Sequence, residues 1–600
     1  MRKNLEVFNY PLDTHSLSRR KKSLKNFLEI ESVNFIEIKV AILGGSTTSE
    51  VRDMLELFLL KDGFKPVFFE SDYGRYYEDA VFPNEKMLIF APDIVYIHTT
   101  VRNIQEYPGY SDTLQQVEDL LNKEVDKFVS IWEGIQEKFK CSIIQNNFEL
   151  PSFRPLGNLD FNFSNGRCRF ISSLNQKLLE EINKRPNIHI NDINWLSAWI
   201  GLERWHDKKL WYAYKYAMGY DAIPYLAQNI QSIINAIFGK SKKCLVLDMD
   251  NTLWGGIIGD DGLQGIEIGK DSPEALAYEE FQEYIKVMKS RGILLAIASK
   301  NDEKNALDGL DHPSSKLIRA DFSAFFANWE PKSTNINSIA MNLNIGKDAL
   351  VFVDDNPAER EIVRMHESAV FVPEIGSDVT QFINILDGLR LFETVSLSIE
   401  DINRSSQYLK DTERKRSIQN FGNYDEYLKS LEMKAIITPF SIGNIERVTQ
   451  LTNKTNQFNL TTKRYSQAEL ATRINNRNFI SLCGKLIDKF GDNGLVSVVS
   501  GEVLGKKLFI DLWLMSCRVL KRGMEDAMLS ELLRISRGQV EEIIGTYIPT
   551  SKNSMVSNLY EELGFQFINI DSNGAVKWRL DCTSSPINKP IQIEVKYDQF

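Results

Sequence analysis

The stretch CLVLDMDNTLWGG, residues 244–256, decides how the middle of this chain is read. An apolar run, Leu245, Val246 and Leu247, leads into Asp248, and Asp250 follows after one residue. A short apolar run ending on a polar break predicts a buried strand. Two like charges this close repel unless a metal ion, a shared proton or a phosphoryl group lies between them. Two further runs have the same form, GILLAIAS (292–299) and DALVFVD (348–354). Helical patterns lie between them, which predicts a doubly wound parallel sheet over 241–395.

Ligands of such a sheet gather at the carboxyl ends of its strands. Here those ends carry Asp248 and Asp250, then Ser299, then Asp354 and Asp355, with Lys332 in NWEPKST between the last two. The four carboxylates are hard oxygen ligands of the kind Mg²⁺ prefers. A hydroxyl and an ammonium, Ser299 and Lys332, can hold a transferring phosphoryl group. Asp248 is placed as a nucleophile, and Asp250 can reach the leaving oxygen as acid and then serve as base. Read one at a time these residues are ordinary: strand-end aspartates cap helices, and Asn356-Pro357 reads as a cap followed by proline at the first helical position. Their order on three strand ends favours the chemical reading.

DMDNT, Ser299, Lys332 and VDDNP, in that order, resemble the haloacid dehalogenase (HAD) superfamily. The resemblance implies Asp248 as nucleophile and Asp250 as acid/base, binding metal through its backbone carbonyl. It also implies Ser299, Lys332 and Thr252 on the phosphate, and Asp354 and Asp355 with Asp248 on Mg²⁺. DMDNTLWGGIIGDDGLQGIEIG, FANWEPKSTNI, FVDDNPAEREIVR and LTNKTNQFNLTTKRYSQAEL resemble the narrower FkbH-like family. The spacing from the first motif to the second leaves no room for a large cap domain, so the site is open to a macromolecule. That family resemblance implies removal of phosphate from 1,3-bisphosphoglycerate and loading of the glyceryl unit on the phosphopantetheine thiol of a discrete acyl carrier protein, for polyketide-type assembly. One position departs from the family pattern: the residue before Ser299, commonly Cys there, is Ala298. A glyceryl thioester on this enzyme is therefore in question. Cys244, at the start of its strand, reads as a core residue.

Residues 434–600 read as an α+β domain, after a charged helical linker at 396–433. KLFIDLWLMSCRVLKRGMEDAML places Arg518, Lys521, Arg522 and Gly523 between a strand and a helix, where amides and positive charge can take a pyrophosphate. This resembles the GNAT acyltransferase signature, with Lys521 where its first glycine is expected. SKNSMVSNLYEELGF resembles that family's Asn…Tyr…Gly-Phe segment through Asn553, Tyr560 and Gly564. The implied ligand is CoA or a carrier's phosphopantetheine, bound for catalysis or for docking alone.

Residues 1–240 alternate strands (FIEIKVAIL, KPVFFE, DIVYIHT) with helices, predicting a second doubly wound domain. ILGGSTT puts Ser46 just after a strand, resembling the nucleophile block of SGNH-type hydrolases. His206, with Glu203 in ERWH, and Asn103 are the companion candidates; the favoured reading is a degenerate scaffold. The whole is therefore an α/β multidomain chain: SGNH-like, capless HAD-like and GNAT-like.

At 600 residues the chain exceeds one hydrophobic core. A net charge of −10 argues against nucleic acid. Six scattered cysteines suit a reducing cytosol rather than a disulfide frame. No 18-residue apolar run predicts a membrane span, and no apolar signal core opens the chain. The expected setting is cytoplasmic. Two other readings stay open: a plain Mg²⁺-dependent phosphatase of a small metabolite, and an assembly protein that positions a carrier.

Overall fold

A computed structural model describes residues 5–30, 35–404, 406–408, 410–411, 414, 421–455, 457–550, 552–572, 574–582 and 592–597; every absence or count below refers to these. The chain divides into two compact units, 1–236 with 388–395, and 237–387 with 396–600. No described helix is long and apolar enough to cross a membrane.

The first unit is built on five parallel strands in the order β2-β1-β3-β4-β5. They are β1 (Ile36–Gly44), β2 (Phe64–Glu70), β3 (Ile94–His98), β4 (Ser142–Asn146) and β5 (Ile188–Asn191). β1 is continuously apolar and buried over 40–44, its carboxyl half, as a strand covered on both faces must be. Helix α1 (Ser49–Lys61) leads from β1 to β2, and α2 (Leu114–Phe139) and α3 (Arg167–Ile182) carry the later crossovers. α2 starts on a reciprocal cap, in which the Thr113 amide donates to Gln116 Oε1 at 2.8 Å and the Gln116 amide donates to Thr113 Oγ1 at 3.3 Å. Its buried stripe of Leu121, Phe128, Trp132 and Ile135 packs on Leu43 and Val95. The chain winds one way from β1 to β2 and the other way to β3, so a crevice opens between the carboxyl ends of β1 and β3.

The second unit contains two sheets. The central one is parallel, in the order β8-β7-β6-β9. Its strands are β6 (Cys244–Leu247), β7 (Leu294–Ser299), β8 (Ala324–Ala327) and β9 (Leu350–Val353). Every residue of β6, β7 and β9 is buried. Helix α4 (Pro273–Ser290) leads from β6 to β7 and α5 (Lys332–Leu343) from β8 to β9, and α6 (Pro357–His366) follows β9. α6 begins with Asn356 as cap, its Oδ1 accepting from the Ala358 amide at 2.9 Å, and with proline at its first position. Winding again reverses at β6, which lies between β7 and β9, so this second crevice opens beside Asp248.

The other sheet is mixed, in the order β15-β16-β14-β13-β12-β11-β10-β17. Its strands are β10 (Met433–Thr438), β11 (Phe479–Asp488), β12 (Gly491–Leu504), β13 (Lys507–Met515), β14 (Glu542–Tyr547), β15 (Gln566–Ile570), β16 (Val576–Asp581) and β17 (Ile593–Tyr597). Helices α7 (Ile445–Lys454), α8 (Gln467–Ile474) and α9 (Met524–Ser536) pack against it. β13 and β14 run parallel and pair only at 507–509 with 542–544, then splay apart. The gap is filled by the chain between α7 and α8. There the Leu460 amide donates to Trp513 O at 3.0 Å, the Met515 amide to Phe458 O at 3.1 Å, and the Ile548 amide to Leu460 O at 2.8 Å. The described part of 396–433 is mostly helical and includes the short helices Ile399–Ile402 and Tyr424–Ser430.

Candidate active site

β6 delivers Asp248 to the middle of the central crevice, where its amide donates to Val353 O at 3.0 Å. β9 delivers Asp354 and Asp355. One carboxylate oxygen from each of Asp248, Asp354 and Asp355 lies within 4.8 Å of the other two. Lys332, at the first turn of α5, reaches into this group. Its Nζ is 2.9 Å from Asp248 Oδ2 and 2.6 Å from Asp354 Oδ2. Asp354 is fully buried, and Lys332 and Asp248 nearly so. Asp248 Oδ1 is buried with no hydrogen-bond partner.

The electrostatics are those of a crowded anionic site. Burial, and then the neighbouring Asp248 charge, push the Asp354 carboxyl up to about 6 despite Lys332. Burial also raises Asp355, again with Asp248 adding to it. Burial alone would depress Lys332, but Asp248 and Asp354 outweigh it and hold the ammonium above its ordinary value. Three convergent hard oxygens, one of them unpartnered, fit a divalent cation of the Mg²⁺ type.

Asp250 points elsewhere. Its Oδ1 accepts from Trp254 Nε1 at 2.9 Å and from the Ile258 amide at 3.2 Å, and its Oδ2 accepts from Asn301 Nδ2 at 3.1 Å. Its carboxylate is thus outside the three-carboxylate group, and burial raises it. The turn that follows the two aspartates is made by Asn251, which adopts a left-handed conformation (φ 55°) and accepts the Gly256 amide at 3.0 Å. Trp254, fully buried, anchors this loop; Gly309 leaves it room, since a Cβ there would come within 2.6 Å of its ring.

Ser299 ends β7 and is almost fully buried. Thr252 lies behind the cluster with no exposure, 3.5 Å from Asp355 Oδ1 and accepting the Asp355 amide at 3.3 Å, where it positions the β9 loop. The sequence reading did not single out Trp254, Asn301 or Arg360. Arg360 Nη1 donates to the carbonyls of Asp354 at 2.8 Å and Asp355 at 2.6 Å and so fixes the paired aspartates. Ala298 is fully buried in the layer facing α5, with Ile336 and Phe352, and Cys244 is buried in the same layer.

The raised Asp354 carboxyl sets the sign of a pH effect. Folding favours its protonated form, so this group stabilises the metal-free fold below about pH 4 and the contribution is lost as pH rises through about 6. A cation needs the deprotonated cluster. The melting-temperature gain on adding Mg²⁺ is therefore expected to be larger at pH 7.5 than at pH 5.5, by thermal unfolding at both pH values. An equal gain at the two would contradict the assignment.

In the C-terminal sheet the predicted pyrophosphate residues have partners of their own. Arg522 pairs with Asp411 and Asp488, each at 3.3 Å. Arg518 donates to Gln407 Oε1, and to Ser516 Oγ at 3.3 Å. Lys521 takes the glycine-like conformation (φ 60°), and its amide donates to Glu525 Oε1 at 3.1 Å. Gly523 (φ 82°) is the N-cap of α9. Asn553 Nδ2 bonds Asn459 O and Ile548 O, both at 2.9 Å, and so ties down the segment that fills the splay. Tyr560 is fully buried against Trp513 and Phe565, and burial drives its hydroxyl far above the ordinary value.

In the first unit Asn103 reaches the residue before Ser46, just past the carboxyl end of β1. Asn103 Nδ2 donates to Gly45 O at 2.8 Å. Ser46 Oγ is buried without a partner. His206 donates from Nε2 to Leu150 O at 2.9 Å, and its Nδ1 has no partner. His206 is thus hydrogen-bonded to neither Ser46 nor Glu203, and Glu203 is exposed. Glu149, which the sequence reading passed over, is fully buried there. It accepts the Val101 amide at 3.2 Å, and burial pushes its carboxyl up to about 7.

The family described as FkbH, N-terminal domain, matches residues 39–235. The solved N-terminal part of a Bacteroides fragilis protein, described as containing a phosphatase domain and complexed with Mg, is 31% identical. The match covers 63% of this chain and 99% of that one, with a TM-score of 0.57. An Escherichia coli ribosomal-protein alanine N-acetyltransferase is 14% identical over 26% of this chain and 99% of its own, with a TM-score of 0.20. The GNAT domain of S. lividans PAT is 13% identical over 24% and 89%, with a TM-score of 0.21. No curated protein matches.

Proposed function

Since this chain belongs to the FkbH-like family, with a HAD-type phosphatase domain in its second unit, we propose that it removes phosphate from a phosphorylated three-carbon acid and passes the acyl unit to a carrier-protein thiol. The observation that carries this reading is the buried group of Asp248, Asp354 and Asp355 around Lys332, with one Asp248 oxygen left unpartnered. Asp248 Oδ1 attacks phosphorus; a bond forms from that oxygen to phosphorus, and the bond from phosphorus to the leaving oxygen breaks. Asp250, its carboxyl raised by burial, gives the leaving oxygen its proton. Asp250 then takes a proton from water, which attacks the aspartyl-phosphate, frees phosphate and restores Asp248. Lys332 and Ser299 hold the phosphoryl oxygens through the transfer. Asp248, Asp354 and Asp355, with the Asp250 carbonyl, would hold Mg²⁺, which would supply positive charge against the phosphoryl oxygens.

No domain is inserted between β6 and β7 to close over this crevice. Trp329, three residues before Lys332, is 71% exposed and held by a hydrogen bond from its Nε1 to Asp302 at 3.0 Å. An open crevice beside an exposed, fixed aromatic suits a carrier-borne thiol better than a small substrate that must be enclosed. In the acyl half-reaction that thiol attacks the carbonyl of the acyl phosphate, a C–S bond forms, the S–H and C–O bonds break, and phosphate leaves carrying the thiol's proton. The plain phosphatase is favoured by one observation: position 298 faces the α5 core and carries a methyl group, so no thiol there can take the acyl unit.

Mass spectrometry tests both. The protein is incubated with Mg²⁺, 1,3-bisphosphoglycerate and a phosphopantetheinylated carrier. A glyceryl mass gain on the carrier is expected. Phosphate release with no gain, even with the cognate carrier, would leave the plain phosphatase.

A further inference from the structure

Within the second unit, a cavity of about 370 Å³ lies at the amino ends of β6, β7 and β9, the opposite end of the sheet from Asp248. Its volume falls in the range of about 300–1,000 Å³ typical of small-molecule sites. Lys243 just before β6, Leu294 at the start of β7 and Ala349 just before β9 form one wall. Arg447 and Lys454 of α7, Arg404, and Arg518 after β13 form the other. The cations outnumber the carboxylates. Asp401 serves both Arg404 and Lys454. Arg447 donates to the neutral Gln450 Oε1 at 3.0 Å, and its Nε is buried with no partner. Arg518 likewise bonds only neutral oxygens, of Gln407 and Ser516. Among the described residues, neither Arg447 nor Arg518 has a carboxylate at ion-pair distance.

Half-buried guanidinium groups without counter-charge are costly. Burial, with Arg518 and Arg404 adding their repulsion, pulls Arg447 below its ordinary value even though Glu400 and Asp401 act the other way. A planar guanidinium is suited to two-pronged recognition of phosphate oxygens. We propose that this cavity is a second anion site that binds the phosphate of a small phosphorylated ligand, with Arg447 and Arg518 as its principal contacts. The 12 residues of α5 separate it from Lys332 by about 18 Å, so it is not part of the phosphatase crevice. The inference does not depend on the reaction proposed above.

Calorimetry on the full chain, with EDTA present and at low ionic strength, tests it. The probes are inorganic phosphate, 3-phosphoglycerate, adenosine 3′,5′-bisphosphate and coenzyme A. At least one phosphorylated probe should bind saturably at one site per chain. Arg447→Gln should weaken that binding by about tenfold or more, at an unchanged melting temperature. Arg518→Gln is measured in parallel, so that a folding defect in one variant leaves the other informative. Tighter binding of the nucleotide and coenzyme A than of 3-phosphoglycerate would identify the source as a coenzyme's phosphates; the reverse would identify a small phosphorylated acid. No saturable binding by any probe, or a change below threefold in both variants, overturns the proposal.

Discussion

Asp248→Asn is expected to lower phosphate release by at least about a thousandfold, because an amide oxygen cannot form and discharge the phospho-enzyme. The same change should raise the stability of the metal-free protein. It removes one of three carboxylates whose mutual repulsion, with burial, already lifts Asp354 to about 6. Loss of activity and gain of stability from one substitution mark a cluster kept for chemistry rather than for folding. Single-turnover phosphate release and thermal unfolding of the metal-free variant give both readings. A variant retaining more than a tenth of the wild-type rate would remove Asp248 from the role of nucleophile.

Lys332→Met should be the most destabilising single change in the central sheet, by about 3–5 kcal/mol at pH 7.5, the cost of removing one partner from a buried ion pair. The ammonium bridges Asp248 at 2.9 Å and Asp354 at 2.6 Å, and among the described residues no other cation pairs with these two carboxylates. The methionine side chain fills similar space, so the loss is one of charge. The folded Asp354 carboxyl, raised to about 6 with the lysine present, rises further without it. Protonation then relieves the variant, and its deficit should shrink as pH falls toward 5. Mg²⁺ should narrow the deficit at pH 7.5. Urea unfolding at both pH values, with and without Mg²⁺, checks this. A deficit independent of pH would mean that Lys332 acts through packing.

The sequence was most legible where one residue type can do only one thing at a strand end. Asp248, Asp354 and Asp355 stand together because short buried strands place them there, and the first turn of α5 brings Lys332 to them. Asp250 shows the limit. Its spacing says that it is near Asp248, but its carboxylate is taken up by Trp254 and Asn301. Arg360 was invisible for a related reason: it works through backbone carbonyls, which leave no trace in residue type. Lys521 shows the reverse. It keeps the glycine-like conformation of the motif it resembles, yet Glu525, four residues on, has taken the amide. The short strands β4, β5 and β8 carry too few residues for a periodicity of their own.

The filled splay between β13 and β14 has a consequence for how this part of the chain assembles. β14 is joined to β13 by three residue pairs, and otherwise through Leu460, some 80 residues earlier in the sequence. Contacts of such separation close late, after their loop entropy has been overcome. The β14-β16-β15 half of the sheet thus depends on an earlier segment having found its slot. It forms a cooperative unit able to open on its own, so its amides, Ile548 foremost, belong to a region of lower local stability than the long β11-β12-β13 ladder.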